Sequence, residues 1–139
     1  MFIEDKDFLE FKVYYKKYVH SYDAYTEKEF EKVELKEEDK KKFKEVVIKM
    51  SELTWGLYNQ LQDCAMIEGG DGERHFNFKI YKENRLNKLI KEWNATDAAG
   101  KPVPVNDKTI SHLAPSIAES ILRGYDELSF ISEEDEKKS

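Results

Sequence analysis

The chain of 139 residues holds one cysteine, Cys64, three prolines and six glycines. A single cysteine excludes an intrachain disulfide framework and suits a reducing compartment. No apolar run approaches the length that spans a bilayer, and the opening residues MFIEDKDF are acidic rather than a hydrophobic leader. A cytosolic protein that makes no membrane contact is expected. A basic excess is missing too. The net charge of −6 argues against general nucleic-acid binding, which needs a cationic face to displace counterions. The strongest basic run, KKKFK at 40–44, is flanked by Glu37, Glu38, Asp39 and Glu45 and reads as a solvated face of mixed charge.

Signals for chemistry are equally sparse. His20, His75 and His112 lie far apart and do not combine with Cys64 into a zinc-ligand spacing. Cys64 falls on or beside the apolar face of a helix, which reads as a buried, inert thiol rather than a nucleophile served by His75. IEGGDGERH at 67–75 reads as a loop. It lacks the preceding strand and following Gly-Lys-Ser/Thr of a phosphate loop. Glu68, Asp71 and Glu73 do not follow the calcium-loop pattern. The expectation is a protein without metal or cofactor, and not an enzyme.

What is present is charge and aromatic area. Charged residues make up 37% and hydrophobic residues 40%, so a single domain with a modest core and a highly charged surface is expected. That domain is placed over 1–131, with a disordered, acidic and polar tail over 132–139. Half of the aromatics lie between Phe2 and Phe30. Phe8, Phe11, Tyr15, Tyr18 and Tyr22 fit helical spacing, while Phe11, Val13 and Tyr15 alternate as in a strand; the spacing is read here as helix. These tyrosines suit either a core face or a partner-binding face, since tyrosine brings contact area at little entropic cost.

Residues 31–50 admit two readings. Phe43, Val46, Val47 and Met50 continue into Leu57, Tyr58 and Leu61 at helical intervals, giving one long helix from about Glu37 to Met66. Alternatively EKVEL (31–35) and FKEVVIKM (43–50) form a β-hairpin that precedes a helix capped by Ser51 or Thr54. A helix is expected over 53–66 in either case, with Trp55 at the edge of its stripe and packed on the next helix. Gly56 costs about 1 kcal/mol inside a helix relative to alanine, so it is expected either in the first turn or at a close approach by another segment, the last strand if the hairpin forms. A second helix is expected over 76–94, with Ile80, Leu86, Leu89, Ile90 and Trp93 inward. Pro102 and Pro104 then hold an extended loop, a short helix covers 108–113, and Pro115 opens the last helix with Ile117, Ile121, Leu122, Tyr125 and Leu128 inward. The fold class expected is α+β but mainly α-helical, a small helical domain with room for an N-terminal β-hairpin before the central helix.

Three pieces in fixed order carry a resemblance: LTWGLYN (53–59), LIKEWNATDAAGKPVPV (89–105) and ISHLAPSIAESIL (110–122). Together they resemble the small tail assembly chaperones of long-tailed, siphovirus-like bacteriophages. The resemblance covers about 46–128 and leaves the aromatic N-terminal third unmatched. It implies a β-strand pair before the LTWG helix. It also implies a non-catalytic role in the host cytoplasm: binding the tape measure protein, shielding its apolar helices and helping to recruit tail-tube subunits. Trp55, Tyr58, Trp93, Tyr15, Tyr18 and Tyr22 are the candidate contact residues, singled out as surplus aromatics. Self-association is left open, as are a virion structural role (connector or tail-completion protein) and a small acidic regulatory role.

Overall fold

The computed structural model describes the backbone of residues 1–4 and 6–138 and the side chains of 1–4 and 6–129. The expectation of a disordered tail over 132–139 lies outside the residues whose side chains are described.

The N-terminal third is a sheet, not a helix. β1 (Phe8–Lys17) pairs antiparallel with β2 (Tyr22–Thr26) on one side and with a later strand on the other. Leu9, Phe11, Val13 and Tyr15 point to one face and Tyr14 to the other, so the period of two prevails over the helical spacing. The helical spacing of Phe8, Phe11, Tyr15, Tyr18 and Tyr22 is incidental, because aromatics occupy both faces.

EKVEL is not a strand. Thr26 and Glu29 form a capping box, the Thr26 hydroxyl accepting from the Glu29 N–H at 3.2 Å and the Glu29 carboxylate accepting from the Thr26 N–H at 2.9 Å. This starts α1 (Glu27–Lys32), followed by one turn, α2 (Glu37–Lys40). FKEVVIKM does become extended, as β3 (Lys44–Ser51), but its partner is β1, with Val13 opposite Val46 and Phe11 opposite Ile48. The long-helix reading of 37–66 is therefore overturned, and the hairpin reading is half right.

α3 (Trp55–Ala65) starts where Thr54 caps it, its hydroxyl accepting from the Leu57 N–H at 3.1 Å. Its buried side is Leu61 and Ala65. Trp55 is 76% exposed rather than packed on the next helix, and Cys64 is exposed rather than buried. Both lie off the stripe set by the four-residue step from Leu61 to Ala65. Gly56 is exposed, and a Cβ there would meet nothing within 4 Å, so no strand crosses it. The expected loop at 67–75 is a small hairpin, β4 (Met66–Glu68) with β5 (Arg74–Phe76).

The expected helix over 76–94 divides. Asn77 caps α4 (Phe78–Leu89), and the chain then turns extended as β6 (Ile90–Trp93), the fourth strand of the main sheet. Trp93 lies opposite Ile48, with a bulge at Lys49/Met50. α5 (Asp107–Ser111) and α6 (Pro115–Lys138) follow.

The sheet order is β2-β1-β3-β6, all antiparallel. With about 41% helix and 27% strand the chain is α+β, and the mainly helical expectation fails because its N-terminal strand is long and central. One sheet face carries Phe11, Val13, Val46, Ile48 and Met50 and is covered by α6 through Ile117, Ile121, Leu122 and Tyr125, with Leu128 partly buried against this core. Leu86, Leu89 and Ile90 close its flank. The opposite face carries a smaller aromatic cluster. Phe30 of α1 stacks on Tyr14 at 4.3 Å between centroids and meets Phe43 at 5.3 Å, which meets Tyr25 at 5.7 Å.

Polar ties fix α6 to the sheet. The Tyr125 hydroxyl donates to the Ser51 carbonyl at 3.1 Å, and burial pushes its pKa up to about 12. The buried Thr26 hydroxyl donates to Glu127 at 2.9 Å. Arg123 reaches Glu29 through two nitrogens, at 3.0 and 3.2 Å. Arg85 pairs with Asp126 and lies over the rings of Tyr81 and Tyr125.

Candidate functional site

The helix α6 does not cover the whole sheet. Beside its first turns, which Ser116 ties to the Tyr22 carbonyl of β2 at 2.8 Å, a cleft of about 800 Å³ opens. Its floor is Val46 and Ile48 of β3, extended by Tyr15 of β1 and Tyr22 of β2. Trp93 of β6 stands beside Ile48, its neighbour across the strands. One wall is Ala95, Thr96, Val103 and Pro104, and the other runs from Asn106 through Leu113 and Ala114 to Ile117 and Ile121.

The proline-marked loop is built to hold that first wall. The Trp93 indole N–H donates to the Val103 carbonyl at 2.7 Å, the Val103 N–H donates to the Ala95 carbonyl at 3.0 Å, and Thr96 bridges to Pro102. Gly100, with φ +80, makes the reversal, a conformation that a residue with Cβ seldom adopts. At its far end Asn106 and Thr109 form a capping box for α5, and the Thr109 hydroxyl donates to the Pro104 carbonyl at 2.6 Å. The polar groups of Asn106 and Thr109 are thus engaged within the wall itself.

Among the six aromatics singled out from sequence, Tyr15, Tyr22 and Trp93 come together here. The rings of Tyr15 and Tyr22 sit 6.3 Å apart. The other three do not join them. Trp55 and Tyr58 stack on each other at 5.9 Å on the exposed side of α3. Tyr18 lies in the β1–β2 turn under the Lys16 ammonium, and its hydrogen bond with Asp23 raises its pKa. Lys108 also lines the cleft and escaped the sequence reading, and His112, weighed there only for metal binding, lines it too; nothing in or beside α5 marks them for the cleft before the fold brings the helix to the sheet. Among the described residues, no carboxylate lines the cleft, although the chain has 29 acidic residues.

The residues considered for chemistry stay apart from this cleft, apart from His112. His75 pairs with Asp71, Nε2 to Oδ1 at 3.3 Å, rather than with Cys64. Asp71, Glu73 and His75 bring their ligand atoms within 4.8 Å of one another in the β4–β5 turn, all exposed. Hydrogen bonds from the Glu73 N–H and from His75 lower the Asp71 pKa. That grouping is a solvated hydrogen-bonded pair with a neighbouring carboxylate, and no metal is assigned to it. No helix among the described residues is long and apolar enough to cross a membrane.

Comparison with family models, with curated proteins and with solved structures found no match.

Proposed function

We propose that this chain is a non-catalytic tail assembly chaperone of a long-tailed phage, acting in the host cytoplasm on the tape measure protein. The observation that carries this reading is the cleft of about 800 Å³, whose apolar floor spans three strands and whose rim is aromatic. Such a groove suits the apolar stripe of a client helix, recognised by its side-chain anchors. The charged remainder of the chain, 37% of residues, keeps a complex with an aggregation-prone client in solution. The pieces LTWGLYN and KPVPV support the same reading; the second forms the wall of the cleft.

Co-expression with the tape measure protein of the same phage tests it. The client becomes soluble and co-purifies with the intact chain. Leu113→Glu, which places a charge in the cleft wall, abolishes co-purification while the thermal melt remains cooperative. Finding this chain at fixed stoichiometry in purified virions would contradict a chaperone that leaves the tail, and would favour a virion structural protein.

A further inference from the structure

We infer that the cleft selects an amphipathic helix carrying an acidic side chain at one end of its apolar stripe, with Lys108 as the recognising cation and His112 beside it. This deepens the chaperone reading and rests on it for the source of the helix.

The backbone decides the shape of the occupant. The floor strand β3 is paired on one side with β1 and on the other with β6, so its N–H and C=O groups are already engaged. An extended peptide laid on that floor would find no ladder to join, and its own backbone groups would be left unpaired in an apolar cleft. A helix satisfies its backbone internally and presents only side chains.

Charge decides the rest. No carboxylate among the described residues lines the cleft. Among its polar lining groups, Asn106 and Thr109 are bonded to each other and to Pro104. Lys108 has no ion pair among the described residues, and the hydroxyls of Tyr15 and Tyr22 have no hydrogen-bond partner there. The adjacent acid, Asp107, does not line the cleft; it lines a second cavity of about 620 Å³, which Asn106 and Lys108 also border. An occupant with a carboxylate at the Lys108 end meets a cation and, among the described residues that line the cleft, no carboxylate; a lysine there meets repulsion.

The test uses a designed helical peptide with leucines at i, i+3, i+4 and i+7 and one glutamate a turn beyond, beside the same peptide with glutamine. Binding to the full chain is followed by fluorescence polarisation of the labelled peptide. At low salt the glutamate peptide binds about three-fold more tightly, the range of a partly exposed ion pair. The preference disappears in Lys108→Gln, reverses in Lys108→Glu and shrinks with added salt. Both variants change an exposed side chain, and a thermal melt confirms that they fold. Equal binding of the two peptides overturns the inference, as does binding of neither. Displacement of both by dodecanoate at lower concentration overturns it in favour of a small amphiphile. Co-purification of the tape measure protein without discrimination by the peptides sinks this inference alone. Discrimination without co-purification sinks the chaperone reading and leaves the cleft chemistry standing.

Discussion

Phe11 fills the space that a side chain at position 124 would need: a Cβ on Gly124 would lie 2.8 Å from both Cδ2 and Cε2 of the Phe11 ring. The glycine lets α6 approach β1 closely, and the ring closes the gap. Gly124→Ala gains about 1 kcal/mol of helix propensity. It loses about 1–3 kcal/mol to overpacking, moderated because a cavity of about 140 Å³ beside Phe11 gives the ring somewhere to shift. The expected net is a loss of about 1 kcal/mol. In a Phe11→Leu background the sign reverses and Gly124→Ala stabilises. Denaturant unfolding of the four proteins checks this; a stabilising Gly124→Ala in the wild-type background would show that the contact imposes no constraint.

Trp93 holds the cleft wall through its indole N–H. Trp93→Phe retains most of the ring area and leaves the Val103 carbonyl without that donor. A loss of about 1 kcal/mol is expected, or a fall of about 3–5 °C in Tm for a chain of this size. Amide exchange should quicken at Val103, whose N–H bonds to Ala95 across the same arm. Unchanged exchange there would mean that the arm is held by Gly100 and the prolines alone.

The stacked pair Trp55–Tyr58 lies on the surface of α3, so it contributes little to folding. Replacing both by alanine should lower stability by less than about 1 kcal/mol, as at ordinary surface sites. A buried tryptophan in the core would cost about 3–5 kcal/mol instead. Thermal melts of the double variant separate the two, and client co-purification by the same protein tells whether the stack is a second contact.

Acid should loosen the tie between α1 and α6. Burial raises the Glu29 pKa, but the Arg123 guanidinium and the Thr26 N–H outweigh it, and the carboxyl titrates below its ordinary 4.5. A carboxylate with a depressed folded-state pKa contributes stability that is fully present above the unfolded value and is lost as pH falls through the folded one. Stability should therefore decline below pH 4.5, and Glu29→Gln should be less stable at neutral pH with a flatter acid limb. Unfolding midpoints across an acid series measure both. Parallel acid limbs in the two proteins would rule out the Glu29 tie as a contributor.

The last helix was legible because its evidence is local: Pro115 opens it, and Ile117, Ile121, Leu122, Tyr125 and Leu128 make one stripe that the core accepts. β1 was not, because Phe8, Phe11, Tyr15, Tyr18 and Tyr22 satisfy the helical period while Phe11, Val13 and Tyr15 satisfy the other. Pairing with β2 and β3 decides between them, and that pairing is non-local. The capping box of Thr26 and Glu29 was visible as a Thr-x-x-Glu pattern and would have removed EKVEL from the strands. Trp93 pointed inward as expected, but from a strand, because an edge of β3 was available to pair with it. Seeking surplus aromatic area found Tyr15, Tyr22 and Trp93 in the cleft. The expected packing of Trp55 on the next helix failed, because its position near the apolar stripe of α3 faces solvent once Leu61 and Ala65 turn inward. Lys108 and His112 belong to the cleft only through the packing of α5 against the sheet, which no local spacing encodes.

The central claim is that the cleft between sheet and α5–α6 holds a client helix. Backbone amide shifts of the isotope-labelled chain, followed while the co-purifying segment of the tape measure protein is added, test it most directly. The account predicts saturable shifts at Tyr15, Tyr22, Val46, Ile48, Trp93 and Leu113, the residues of the floor and rim. Shifts confined to Trp55, Tyr58 and their neighbours on α3, with the cleft residues unmoved, would contradict it.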